Sequence, residues 1–489
     1  MVVIRPFDRR GGQGLRVGVA GGEKFFPNSF LTLTTNAGKL RLNFYPVGRS
    51  ETTRQNKIRN ERHHMAELVG NLLVGQSGGP TAVINASVAG VLQEAGRHEC
   101  IEEIYGGLNG ILGILNEELI DINEELAKTV EGLKYTPAAA LGTCRYKIDF
   151  KKQPEKAAQE MDRLFEVFGA HNIRYFFYAG GNDSQDTAHK IHEEALKRGY
   201  ELRVIGVPKT IDNDLPHTDS CPGYGSVIKY NCATTMEVAL DVGSMATDDG
   251  ACCVIEVMGR SAGWIAAGTV LAKRSPDDAP HIILLPEIPF DEAAFLARVK
   301  EITDHHKHCV VVVGEGLKSA AGEEVAADKS RLDAFGHPIL SGAAEHLADL
   351  VQEKLKLKSR SVKLGYAQRA AAHFASATDM KNSVACGEAA VRAAVDGKSG
   401  FMVKIVRSAQ ADGSVAWGTG LQSLGDIANV EHFVPRDWIS ADGFLPNEKF
   451  VEYARPLIEG EVKVPMEGGL PKYVELAKSP VEKKLPPRA

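Results

Sequence analysis

Three times this chain runs from an apolar, strand-like segment into a polar turn, twice going on into a helix-like run, and that order calls for a parallel α/β sheet. The first unit is Asn71-Leu72-Leu73-Val74, then Gly75-Gln76-Ser77-Gly78-Gly79-Pro80, then a helical run over 82–94. The second is Arg174-Tyr175-Phe176-Phe177-Tyr178-Ala179, then Gly180-Gly181-Asn182-Asp183-Ser184, then a helical run over 187–196. The third is the apolar run 202–207, closed by Pro208-Lys209-Thr210-Ile211-Asp212-Asn213-Asp214. A proline at a strand end stops the ladder and sends the chain into a loop. Loops at the carboxyl ends of parallel strands are where open α/β sheets keep their chemistry. Further strands are expected at 251–257, 281–285 and 309–313.

The third loop packs two carboxylates, an amide, a hydroxyl and an ammonium into the residues from Lys209 to Asp214. So many polar groups on a short loop are costly unless a metal, a phosphate or a substrate shares them. Asp212 has the chemistry to accept a hydroxyl proton, Asp214 to face Mg²⁺, and Lys209 to neutralise phosphate. An isolated D-x-D would be read as a solvated acidic turn. The glycine turns change that reading, because bare backbone N–H groups ahead of a helix attract anions. Each glycine turn is a weak signal by itself. The three loops together point to one polyphosphate and its metal.

Gly78-Gly79, the Gly180-Gly181-x-x-Ser184 turn, Thr210-Ile211-Asp212-Asn213-Asp214, Met258-Gly259-Arg260 and Gly365-Tyr366-x-Gln368-Arg369 stand in the order found in phosphofructokinases. The chain resembles that family from about residue 69 to about residue 400. The resemblance implies two similar Rossmann-like α/β domains, with mainly parallel sheets flanked by helices and an active site in the cleft between them. It also implies Mg²⁺-dependent phosphoryl transfer to the 1-hydroxyl of fructose 6-phosphate, a reversible step in glycolysis. ATP-dependent members have glycine where this chain has Asp183 and Lys209, and the Asp–Lys pair resembles the diphosphate-dependent branch. A carboxylate at 183 would repel the α-phosphate of ATP, while Lys209 brings charge to a compact donor. An ATP-dependent sugar-phosphate kinase and a non-catalytic regulatory subunit are the other readings; Asp183 and Lys209 oppose the first, and Asp212 the second. Sedoheptulose 7-phosphate as a further acceptor stays open.

On matched positions the resemblance makes Asp212 the base, with Lys209, Mg²⁺ and the amides of Gly78 and Gly181 stabilising the transferring group and Thr210 hydrogen-bonding it. Gly79, Asp183 and Arg145, the last in Gly142-Thr143-x-Arg145, belong to the donor side. Ile211, Met258, Gly259, Arg260 and Glu315 belong with Thr210 and Asp212 to the sugar side, and Arg360, Tyr366 and Arg369 to the 6-phosphate. Two departures stand out. Asn182 occupies a position where the family has a Mg²⁺-site carboxylate; either it shares the metal with Asp214, or the ion shifts toward Asp183. Ala251 stands seven residues before Met258, where many members carry an arginine that crosses a subunit interface. A homodimer or homotetramer is implied.

The 489 residues are 44% hydrophobic and 25% charged, enough for a large core in more than one domain. No apolar run approaches the roughly 18 residues of a bilayer span. The eight cysteines include no C-x-x-C, which reads as reduced core thiols in a cytoplasmic protein. Neither a membrane nor a nucleic-acid partner is expected. Residues 1–64 hold 12 Lys and Arg against 4 Asp and Glu. They read as a basic N-terminal extension, disordered or an artefact of start-site choice, with Met65 favoured as the start. The expected domains are 65–223 with 368–410 for the phosphoryl donor, 224–367 for the sugar phosphate, and 411–489 as a C-terminal segment with a frayed tail.

Overall fold

The computed structural model describes five strands between residues 3 and 46, then residues 68–332, 338–340 and 342–488, with side chains described for 68–326 and 342–488. Contacts divide the chain into two compact units, Met1–Glu67 and Leu68–Ala489. In the first, β1 (Val3–Arg9), β2 (Gly12–Val19) and β3 (Gly22–Pro27) form an antiparallel sheet, and β4 (Ser29–Asn36) pairs with β5 (Lys39–Pro46) as a hairpin. The expectation for residues 1–64 turns on segments and side chains that lie outside the described residues.

The second unit alternates strands with helices, as the repeated strand–turn–helix order requires. Its first half runs β6 (Gly70–Gln76), α1 (Ile84–Ala95), β7 (Ile101–Gly107), β8 (Leu119–Asp121), α2 (Pro154–Ala170), β9 (Ile173–Gly180), α3 (Asn182–Arg198) and β10 (Arg203–Pro208). There follow α4 (Tyr224–Ser244), β11 (Ala251–Val257), β12 (Ile282–Leu284), α5 (Glu292–His306), β13 (His308–Gly314), β14 (Ala327–Leu332), β15 (Pro338–Leu340), α6 (Ala343–Leu355) and β16 (Lys358–Lys363). The chain closes with α7 (Ala377–Val395), β17 (Phe401–Ala409) and β18 (Val415–Ser423), with shorter helical turns in between. All six expected strands are present.

A seven-stranded sheet has the order β18-β17-β10-β9-β6-β7-β8, parallel except at its two edge strands. A four-stranded sheet, β12-β13-β11-β16, is parallel throughout. Parallel strands are covered by helices on both faces, so their sequences read as unbroken apolar runs rather than alternations. Side chains still alternate between faces. Leu72, Val74 and Phe177 join one core cluster, and Leu73, Phe176 and Tyr178 join the cluster on the opposite face. In the second sheet Cys253, Ile255 and Val257 likewise part from Cys252 and Val254.

The last segment departs from expectation. Residues 415–423, assigned to a separate C-terminal segment, are the edge strand of the first sheet, and residues 479–485 do not fray. Asp121 N–H donates to the Ser479 carbonyl at 2.9 Å, Val481 N–H to the Leu119 carbonyl at 2.9 Å, and Leu485 N–H to Glu117 at 3.2 Å. The tail thus covers the β8 edge, whose unpaired groups are a liability when open. Among the described residues no helix is long and apolar enough to cross a membrane.

Candidate active site

β10, β9 and β6 are neighbours in the first sheet, so the loops that leave their carboxyl ends lie side by side. Strand order reverses at β6, which sends β7 to one side and β9 to the other, and such a switch opens a crevice beyond the strand ends. The second sheet repeats the device: β13, β11 and β16 are adjacent, and they deliver the turns at Glu315, at Met258-Gly259-Arg260 and at Tyr366-x-x-Arg369. The two sets of loops line one cleft of about 1010 Å³. Of the positions expected from sequence, Gly78, Gly79, Arg145, Gly181, Asn182, Asp183, Lys209, Thr210, Ile211, Asp212, Asp214, Met258, Arg260, Glu315, Tyr366 and Arg369 all line it.

The Gly78-Gly79 turn sits between two cations. A Cβ on Gly78 would come within 3.3 Å of Lys209 Nζ, and one on Gly79 within 3.0 Å of an Arg369 nitrogen. Gly78 also has φ of +74°, which glycine adopts without strain. Lys209, only 3% exposed, donates from Nζ to the Gly79 carbonyl at 2.7 Å. Burial lowers its ammonium to about 8, against the pull of Asp212 and Asp214. The Thr143 hydroxyl donates to the Gly78 carbonyl at 2.7 Å, which ties the segment carrying Arg145 to the same turn. The Gly78 N–H, expected to face the donor, instead donates to the Cys144 carbonyl at 3.3 Å. The attraction of this turn for an anion therefore comes from the flanking cations rather than from that amide.

The acidic loop is held by its own side chains. The Thr210 hydroxyl accepts the Asp212 N–H at 3.0 Å. That contact braces the loop, and Thr210 also lines the cleft. Asn213 takes a left-handed φ of +54°, which a short amide tolerates. Its oxygen accepts the Cys221 N–H at 2.9 Å and its nitrogen donates to Tyr453 Oη at 2.8 Å. Burial, reinforced by Asp214 and Glu315, pushes the Asp212 carboxyl up to about 7. Asp214 Oδ1 is buried with no hydrogen-bond partner.

The sugar-side turns are interlocked through Gln368, the glutamine of the Gly365-Tyr366-x-Gln368-Arg369 motif. Gln368 Oε1 accepts from Met258 N–H at 3.2 Å and from Asn231 Nδ2 at 3.1 Å, and its amide donates to the Gly365 carbonyl at 3.0 Å. Gly316 is needed for a different reason: a Cβ there would stand 1.7 Å from the Arg260 carbonyl oxygen. Gly259 does not line the cleft, and its carbonyl accepts the Gly316 N–H at 3.3 Å. Arg369 lies over the Tyr366 ring, 4.4 Å from its centre. Arg360 is not brought in. It sits in mid-β16, exposed, opposite Cys253 in the register, away from the cleft-lining set.

Two positions at the start of α3 differ from expectation because of long-range partners. Asn182 Oδ1 accepts the Asn429 N–H at 2.7 Å, and its Nδ2 donates to the Val430 carbonyl. Asp183, whose carboxylate is expected to repel the α-phosphate of ATP, forms an ion pair with Lys147 at 2.6 Å. The loop held by Asn182 adds Asn429, Glu431 and Phe433 to the cleft, and His432 N–H donates to the Asp214 carbonyl at 2.8 Å. No local pattern in 429–433 announces this role; only the fold brings the segment back. An aspartate at 182 could not donate to the Val430 carbonyl. Asn182→Asp is expected to weaken the anchoring by about 1 kcal/mol or more, read as faster amide hydrogen exchange over 429–433. Unchanged exchange would show that the amide is not the anchor.

The family model described as Phosphofructokinase matches residues 71–394, more than half of the chain. This chain belongs to the phosphofructokinase family. Within that family it is 47% identical over 417 residues to the pyrophosphate–fructose 6-phosphate 1-phosphotransferase of Halomonas elongata, covering 85% of this chain and 98% of that protein. The enzyme of the same name from Methylococcus capsulatus is 47% identical over 416 residues, with the same coverage. The crystal structure of a pyrophosphate-dependent phosphofructokinase from Marinobacter aquaeolei superposes with a TM-score of 0.77 at 44% identity, covering 86% of this chain and all of that one. The phosphofructokinase fold thus accounts for both sheets and for the cleft between their loops.

Proposed function

We propose that this chain transfers a phosphoryl group from diphosphate to the 1-hydroxyl of fructose 6-phosphate, releasing fructose 1,6-bisphosphate and phosphate. The carrying observation is the buried Lys209 ammonium held at the Gly78-Gly79 turn, in a cleft that Asp183 also lines. That constellation suits a short donor of high charge density, and relatives bearing this activity in their names share nearly half of the sequence.

The sugar hydroxyl attacks in line while Asp212 takes its proton; the bond to the leaving phosphate breaks as the new P–O bond forms. Lys209 opposes the charge on the transferring group, Arg369, expected at the 6-phosphate, stands close enough to the Gly79 turn to share that task, and the N-terminal end of α3 at Gly181 adds its dipole. Thr210 and Asn213 keep Asp212 in place. Met258, Arg260, Glu315 and Tyr366 shape the sugar side. Asp214, with a buried carboxylate oxygen that has no partner, fits Mg²⁺. Asn182 fits it less well, because its amide is engaged with the 429–430 backbone on both sides. When bound, the ion neutralises diphosphate oxygens. A homo-oligomer is the arrangement in which the exposed Arg360 could serve a neighbouring chain's cleft.

The test is fructose 1,6-bisphosphate formation by the purified protein with Mg²⁺, comparing diphosphate with ATP. Turnover with diphosphate and not ATP is expected. Turnover with ATP alone would overturn the donor assignment, and silence with both would favour a regulatory chain.

A further inference from the structure

Lys147 appears in no motif discussed above and does not itself line the main cleft, yet three polar groups converge on its ammonium. Its Nζ lies 2.6 Å from Asp183 Oδ1, 3.3 Å from Asp186 Oδ2 and 3.2 Å from Asn429 Oδ1. Asn429 closes the ring by donating from Nδ2 to Asp186 Oδ1 at 3.0 Å, and Lys190 neutralises Asp186 from the far side at 2.7 Å. Two carboxylates and two ammonium groups make the cluster close to neutral.

This cluster stands on a boundary. Beyond it lies a second cavity of about 470 Å³, lined by Lys147, Lys152 and Lys156 among others. Arg145 and Asp183 line both that cavity and the main cleft. Asp183 is more than half exposed by itself, so nothing but its partners fixes where its carboxylate points. An isolated surface ion pair holds its geometry weakly. Here Asp186 is only 5% exposed, and three polar partners converge on one ammonium, which makes the arrangement a fixed bar rather than a loose pair.

We propose that Lys147 is a specificity-determining residue: by tying Asp183 to Asp186 and Asn429, it closes the donor end of the cleft to any phosphate chain longer than diphosphate. Because the bar is nearly neutral, it selects by occupying space. Cutting it joins the two cavities, and the third phosphate of a longer inorganic chain then finds room among Arg145, Lys152 and Lys156.

The inference rests on the donor reading above, and its test is chosen so that the two fail separately. Affinities of the full-length protein for diphosphate and for inorganic tripolyphosphate, each with Mg²⁺, are measured by calorimetry, which needs no turnover. The parent is expected to prefer diphosphate. Lys147→Ala alone would leave Asp183 as a bare charge against the third phosphate, so the bar is cut without changing its net charge: Lys147→Ala with Asp183→Asn should lower the diphosphate-to-tripolyphosphate affinity ratio by about tenfold, Asn429→Ala should lower it less, and Lys147→Arg should leave it near the parental value. A purely structural role would weaken both ligands alike, and a ratio unchanged in the double variant overturns the inference. Should that variant not fold, an unchanged ratio in Asn429→Ala does so. A parent that fails to turn over diphosphate overturns the donor reading instead.

Discussion

Asp212→Asn is expected to lower kcat by on the order of 10²–10⁴ while leaving the KM for fructose 6-phosphate within a few-fold of the parent. The amide has the carboxylate's shape and can still accept a hydrogen bond, but it cannot take the proton that the attacking hydroxyl loses. A base works best when its pKa lies near the working pH, and burial beside Asp214 and Glu315 has moved Asp212 up to about 7. The variant should stay folded. A carboxyl raised by burial carries a charge that costs the folded state free energy near neutral pH, and a neutral amide removes that cost. A circular dichroism melt alongside the kinetics separates the two effects. Near-parental turnover would remove Asp212 from the role of base.

Lys209→Met should reduce kcat/KM for diphosphate by about 10²–10³, the range found when one preorganised electrostatic donor is removed. Methionine keeps much of the volume and loses the ammonium. The lysine is buried at 3% exposure under the glycine turn, where little water can substitute for it. Its charge is weakly screened there and acts on the donor more strongly than a surface lysine would. A second readout is independent of catalysis: the rise in melting temperature that diphosphate gives the parent should vanish in the variant, because that rise reports binding to the folded state. Retained affinity and turnover within threefold would mean that other groups hold the donor.

Much of this site can be read along the chain because its core pieces are local. The glycine turn at 78–79, the start of α3 and the loop from Lys209 to Asp214 each follow a strand whose apolar run is itself visible. A parallel sheet needs those runs, and chain order places each loop at a carboxyl end. Asp212, Lys209 and Asp214 therefore stand together on one short loop. Gly78 N–H, Asn182 and Asp183 carry chemistry suited to the donor or its metal, and other groups in the fold engage them.

Those competing partners are mostly remote. Asn182 meets 429–430, Asp183 meets Lys147, and Asp379 in α7 accepts hydrogen bonds from Gly223 N–H and Ser226 N–H at the start of α4. The loop carrying Glu431 and Phe433 reaches the cleft from a region with no motif, and Arg360, a plausible phosphate ligand by type, is left outside. The sequence alone determined the α/β class and the three polar loops at the carboxyl ends of their strands, because each depends on neighbours along the chain. The tertiary structure decided which of those polar groups remain available to a ligand. A hydrogen-bonding group takes whichever partner the fold brings within about 3 Å, and strand order, not sequence distance, sets which partner that is.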